Sequence, residues 1–101
     1  MAKTIYSGTY LAAGAGAAST VHSAAGRLLG ILVSHAQATV QTVTVYDNTA
    51  ASGTVIMKLN IDPTRCPTYV EFPRNAGIAF SNGLHVVNGW CDLNLWSVDY
   101  G

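Results

Sequence analysis

Apolar and polar residues alternate along much of this chain with the two-residue period of half-buried strands. Residues 42–46 (TVTVY) place Val43 and Val45 on one face and Thr42, Thr44 and Tyr46 on the other. Residues 54–60 (TVIMKLN) group Val55, Met57 and Leu59, with Lys58 turned away. Asp47 and Asn48 open a loop between these runs that closes at Ser52 and Gly53, so the two are predicted to form a hairpin. Residues 27–34 (RLLGILVS) are mostly apolar, which predicts a central strand covered on both faces. Residues 69–73 (YVEFP) end in proline and predict an edge strand, after a loop over 62–67 that Pro63 and Pro67 keep out of any ladder. Asn82-Gly83 and Asn88-Gly89 separate the runs 78–80, 84–87 and 90–100, and Asn-Gly is a strong hairpin signal. In the last run Leu93 and Leu95 share one face and Asn94, Trp96, Val98 and Tyr100 the other. That change of apolar face predicts a β-bulge or a second buried surface after Leu95.

The N-terminal third is patterned differently. Residues 4–11 are compatible with a strand, but residues 12–19 (AAGAGAAS) are all tiny. Their glycines weaken a helix, and no apolar stripe gives one a reason to dock. Two readings stand: a loop or β-arch, or an arm spanning residues 1 to about 20 that lies on a neighbouring subunit. At 101 residues the chain suffices for one core. The prediction is therefore a single all-β domain over residues 1–101, with residues 1–20 a candidate arm and 26–100 the sandwich core. Its architecture is a β-sandwich or jelly-roll-like barrel of about seven to eight antiparallel strands.

Charge changes this picture most. Lys plus Arg number 5 and Asp plus Glu 5, so charged residues make up 10% of the chain, against about 25% in ordinary soluble domains. A nearly uncharged surface favours association, which points to an oligomer or to one part of a larger assembly. The cations Lys3, Arg27, Lys58, Arg65 and Arg74 are scattered singly, which argues against nucleic acid. The longest apolar run, around residues 28–33, is broken by Gly30 and falls far short of the roughly 20 residues of a membrane span. Residues 1–6 do not read as a secretory signal. Without one, Cys66 and Cys91 are expected to be free, partly buried thiols.

Candidate chemistry is sparse. Residues 14–19 (GAGAAS) approach a dinucleotide fingerprint but lack its third glycine, a following helix and a downstream acid. His22, His35, His85, Cys66 and Cys91 contain no close ligand pair of the structural-zinc kind. A Cys66–His85 nucleophile pair requires only that the two meet in space, yet nothing in the sequence marks it. The carboxylates Asp47, Asp62, Glu71, Asp92 and Asp99 are dispersed, and turn roles account for Asp47 and Asp62. Neither enzyme activity nor a cofactor nor a metal is expected. The aromatics Tyr6, Tyr10, Tyr46, Tyr69, Trp90, Trp96 and Tyr100 suit protein interfaces or sugar stacking as well as packing. The candidate interface residues are Ile5, Tyr6, Tyr10, Leu11, Tyr69, Trp90, Trp96 and Tyr100.

Three stretches carry a resemblance: residues 25–31 (AGRLLGI), residues 45–54 (VYDNTAASGT), and residues 70–73 (VEFP) followed by 77–84 (GIAFSNGL). Together, across residues 26–100, the chain resembles small virion proteins of tailed bacteriophages. The resemblance implies a head decoration (cement) protein, or another small structural component, present in many copies in the virion and assembled in the host cytoplasm. Its implied partners are major capsid protein or other virion proteins, with a homotrimer as the expected oligomer. A neck, tail or fibre-associated virion protein is the first alternative, and a small carbohydrate-binding β-sandwich module the second.

Overall fold

A computed structural model describes residues 5–36, 39–71 and 77–99. These residues form nine strands: β1 Ile5–Leu11, β2 Ala18–His22, β3 Gly26–Ala36, β4 Gln41–Asp47, β5 Thr54–Ile61, β6 Thr68–Glu71, β7 Ile78–Phe80, β8 Leu84–Val87 and β9 Cys91–Asp99. A 3₁₀ turn over Pro63–Arg65 precedes β6. The strands make two antiparallel sheets that pack face to face, a β-sandwich and not a closed barrel. Sheet A has the order β1-β9-β3-β6, with β7 also paired to β3; sheet B has the order β2-β8-β4-β5. Only β4–β5 and β6–β7 connect within a sheet, and every other connection crosses the sandwich.

The core lies where the inward faces meet. Leu28, Ile31 and Val33 of β3 and Leu93 and Leu95 of β9 face Val43, Val45, Leu84 and Val86 of sheet B, all fully or almost fully buried. Burying each such side chain contributes on the order of 1.5–3 kcal/mol. The apolar run in β3 is not a strand covered on both faces. Leu28 pairs with Ser97 and Gly30 with Trp96, so Leu29 is an inserted residue that shifts the inward set from Leu28 to Ile31 and Val33. A second insertion at Ser34 brings Ala36 back inward. The irregularity predicted after Leu95 thus sits in the partner strand. In β9 the alternation continues unbroken, with Ser97 buried in place of an apolar residue. Its hydroxyl hydrogen-bonds His22 Nε2 at 2.6 Å across the sandwich, and His22 stacks on Phe80 at 5.5 Å.

The β4–β5 hairpin forms as predicted. A bulge at Ile56 turns Val55 outward beside Tyr46, away from Met57 and Leu59, so the three do not share a face. Both Asn-Gly pairs differ from expectation: they carry the β7–β8 and β8–β9 crossings between sheets, not hairpins. The N-terminal tiny residues form a β-arch. β1 joins sheet A beside β9 and β2 joins sheet B beside β8, so residues 5–11 and 18–22 pair within the chain's own sandwich. The edge placement of β6 agrees with its proline-ended run, although Phe72 and Pro73 lie outside the described residues.

Asp47 fastens the β7–β8 crossing. Its Oδ1 accepts from the backbone N–H of Asn82 at 2.8 Å and of Ser81 at 3.0 Å, while Asn48 shapes the local loop by donating to the Ser52 carbonyl. Asp62, by contrast, has the local role expected of it, accepting from Thr64 N–H at the head of the 3₁₀ turn. The Asn82 and Ser81 N–H groups hold the Asp47 carboxyl below its ordinary range, against an opposing effect of partial burial. Because the folded-state value is depressed, this stabilisation is full above the unfolded value and fades as pH falls through the folded one. Asp47→Ala is expected to cost roughly 1–2 kcal/mol at neutral pH. Urea unfolding from pH 7 downward should show the gap between variant and parent closing below about pH 4.

Candidate functional site

The outer face of sheet A gathers the exposed aromatics. Across the sheet, one row of the register runs Tyr10–Asn94–Leu32–Tyr69 and the next runs Gly8–Trp96–Gly30. Trp96 therefore stands between two glycines, and neither neighbour contributes a side chain. Its ring meets Tyr69 edge to face, with centroids 5.8 Å apart and planes at 87°. Tyr69 lies two strands from Trp96, and adjacent strands are about 4.8 Å apart. The two rings thus reach toward each other over β3, which the bare Gly30 permits. Tyr10 is 59% exposed, Tyr69 53% and Trp96 39%.

Between Tyr10 and Trp96 lies a shallow groove of about 280 Å³, lined also by Gly8, Thr9, Leu32, Asn94 and Leu95. Among the described residues, no charged side chain lines it. Beside it, Asp92 Oδ1 accepts from the Ala13 N–H at 2.7 Å and from the Tyr10 hydroxyl at 3.2 Å. Partial desolvation and the nearby Asp92 carboxylate raise the Tyr10 phenol above its ordinary range, so it stays a neutral donor at physiological pH.

The outer face of sheet B has another character. Its side chains are mostly uncharged: Thr44 pairs with Lys58 and Val87, and Tyr46 with Val55 and His85. Thr42 donates to Asn60 Oδ1 at 3.1 Å. Thr20 Oγ1 lies 3.0 Å from the Thr49 carbonyl and 2.9 Å from His85 Nδ1. The single hydroxyl proton goes to the carbonyl, so His85 Nδ1 carries a hydrogen and donates to Thr20. Among the described strand residues, Lys58 is the one formal charge on that face.

No family model, curated protein or solved structure matches this chain.

The predicted interface residues separate into groups. Tyr10, Tyr69 and Trp96 come together on sheet A. Trp90 is exposed in the β8–β9 crossing and does not line the groove. Leu11 is 6% exposed and belongs to the core, so it leaves the interface set. The backbones of Ile5 and Tyr6 pair with Asp99 and Val98, but their side chains, like Tyr100, lie outside the described residues.

The remaining chemistry stays apart. Cys66 packs against the core and its thiol points to the Asp62 carbonyl, whereas His85 lies on the outer face of sheet B bonded to Thr20. Both cysteines are free, and burial, with smaller contributions from Cys66 and Asp92, pushes the Cys91 thiol up. Residues 14–19 form the β1–β2 arch and run into β2 with no helix following. Among the described residues no group of three His, Cys, Asp or Glu side chains is placed to hold a metal. No helix there is long and apolar enough to cross a membrane.

Proposed function

We propose that this protein is a structural component of a tailed-phage virion, a head decoration protein that reinforces the shell by binding major capsid subunits in many copies. The observation that carries the reading is the outer face of sheet B, where threonines and other uncharged side chains surround the single cation Lys58. Two such surfaces lose little on desolvation, because hydroxyl and amide groups find partners across an interface while unpaired charges do not. Symmetric assembly would multiply any like-charge repulsion, and a 10% charged chain keeps it small. The phage-like stretches across residues 26–100 lead to the same reading. A trimer on the shell would turn three weak contacts into firm attachment. The protein has no catalytic role in this reading.

Thr44→Glu places a carboxylate in the middle of that face, with Val87 and Lys58 as cross-strand neighbours. It is expected to leave unfolding stability within about 0.5 kcal/mol, since Thr44 is only half-buried on an outward face and the new carboxylate lies beside Lys58. Co-sedimentation with capsids lacking this protein should weaken about tenfold or more, because burying the added carboxylate, even beside Lys58, costs more in desolvation than the pair recovers. Parent protein that fails to sediment with capsids at a fixed copy number defeats the assignment. A compact monomer in light scattering at high concentration defeats the trimer. A particle map that shows it at the neck, tail or fibre gives it the other virion role.

A further inference from the structure

We infer that the groove between Tyr10 and Trp96 on sheet A is a binding site for the ring of a neutral saccharide. The inference concerns the face opposite the proposed capsid contact and stands or falls apart from it. A sugar ring has apolar C–H faces and a rim of hydroxyls, so its site needs an aromatic wall and a few polar groups that can exchange hydrogen bonds with that rim. The groove meets each requirement. Trp96 and Tyr10 form its aromatic sides, and Gly8, which faces Trp96 in the register, leaves room for a ring to lie between them. Even a methyl group at Gly8 would find only the Leu95 carbonyl, 4.0 Å away. Tyr69 braces Trp96 edge-on, so the wall is set before a ligand arrives and little ordering cost remains.

Asn94 narrows the ligand class. It lies between Tyr10 and Leu32 in the register and lines the groove, yet among the described residues nothing hydrogen-bonds its amide. An apolar occupant would bury that amide unpaired, at a penalty. A hydroxyl-rimmed ring satisfies both its donor and its acceptor. Nucleotides and other anions find no cation among the lining residues. The volume, about 280 Å³, is just below the range of drug-sized sites, which suits one ring or the end of a chain.

The test is a titration of ¹⁵N-labelled full-length protein with glucose, galactose, N-acetylglucosamine and their short α- and β-linked oligomers, followed by NMR. At least one of these neutral sugars should shift the amides of residues 8–10 and 94–96 saturably. Trp96→Ala should weaken that binding about tenfold or more, the loss expected of a central aromatic contact. Gly8→Val, which fills the groove from the edge strand with the tryptophan intact, should do the same while the rest of the spectrum stays folded. Thr44→Glu on the other face should bind the sugar like the parent. Absence of saturable shifts with every sugar overturns the inference, as does binding that Gly8→Val leaves unchanged. Groove variants that lose capsid attachment in a parent indifferent to every sugar overturn it too, and give the face to a protein partner.

Discussion

Asn88→Ala is expected to lower the unfolding free energy by about 2–4 kcal/mol, the scale of leaving one buried and one part-buried carbonyl without donors. Asn88 is 1% exposed in the β8–β9 crossing. Its Nδ2 donates to the Ala12 carbonyl and to the Cys91 carbonyl, each at 2.9 Å. The backbone N–H groups of Asn88 and Gly89 both reach the Ala17 carbonyl at 3.0 Å, and the Gly14 N–H reaches the Gly89 carbonyl at 2.9 Å. One amide therefore ties the N-terminal arch to the last crossing, and so fixes how the two sheets join at that end. Asn88→Asp is nearly isosteric and sharper as a test. It turns the donor into an acceptor facing two carbonyl oxygens, so the ionised form is disfavoured in the fold and the carboxyl's folded value rises above its unfolded one. Stability of that variant should then increase as pH falls, the reverse of the Asp47 effect. Urea unfolding of both variants between pH 4 and 7 checks this. A loss under about 1 kcal/mol for Asn88→Ala would show that the arch is held by its backbone bonds alone.

The strands were largely legible because their period is local. Alternation locates β4, β5, β8 and β9, and the proline-ended run locates an edge strand. What alternation does not carry is which sheet a strand joins. Asn88-Gly89 is a strong turn signal, but the turn becomes a crossing because the Asn88 side chain is buried against residues from the other arch. Asn82-Gly83 crosses because Asp47, 35 positions upstream, takes its N–H groups. Both causes are non-local. The apolar run of β3 misleads for a related reason: an inserted Leu29 produces the same string as a strand covered on both faces.

The aromatic outer face of sheet A was half legible. Alternation puts Trp96 outward in β9, but only the strand order brings Tyr10 and Tyr69 beside it from β1 and β6. Leu11 was avoidable, since neighbours in a strand point to opposite faces and an outward Tyr10 requires an inward Leu11. Gly8 and Gly30 have no signal of their own. They gain meaning only as the register neighbours of Trp96. Charge poverty was legible at once, but its distribution was not: Lys58 interrupts one face, and no charged residue is among the described lining of the groove on the other.

Gly83→Ala is expected to cost about 3 kcal/mol or more, although it adds a single methyl group. A Cβ at this position would lie 2.8 Å from the His22 carbonyl oxygen, 2.9 Å from that of Asn48 and 3.0 Å from Thr49 Cγ2, at φ +154°. Two of these neighbours are backbone, so the methyl group cannot be accommodated by turning a side chain. Either β2 or the loop after β4 must move. A shift of β2 carries His22 with it, and His22 Nε2 holds buried Ser97 at 2.6 Å from the opposite sheet. A shift of the loop moves Asp47, whose carboxylate holds the same crossing. Gly83→Ala and Asp47→Ala should therefore be non-additive, the double variant losing less than the sum. Gly16→Ala is the control, since its φ is +65° and nothing lies within 4 Å of the added carbon. It should cost only the backbone penalty of about 1–2 kcal/mol. Urea unfolding of the three single variants and the double decides between the causes. Additive losses at Gly83 and Asp47 would mean that the backbone conformation of Gly83 alone sets its cost, and a double variant that loses less than the sum that crowding where β2, the β4–β5 loop and the β7–β8 crossing meet does so.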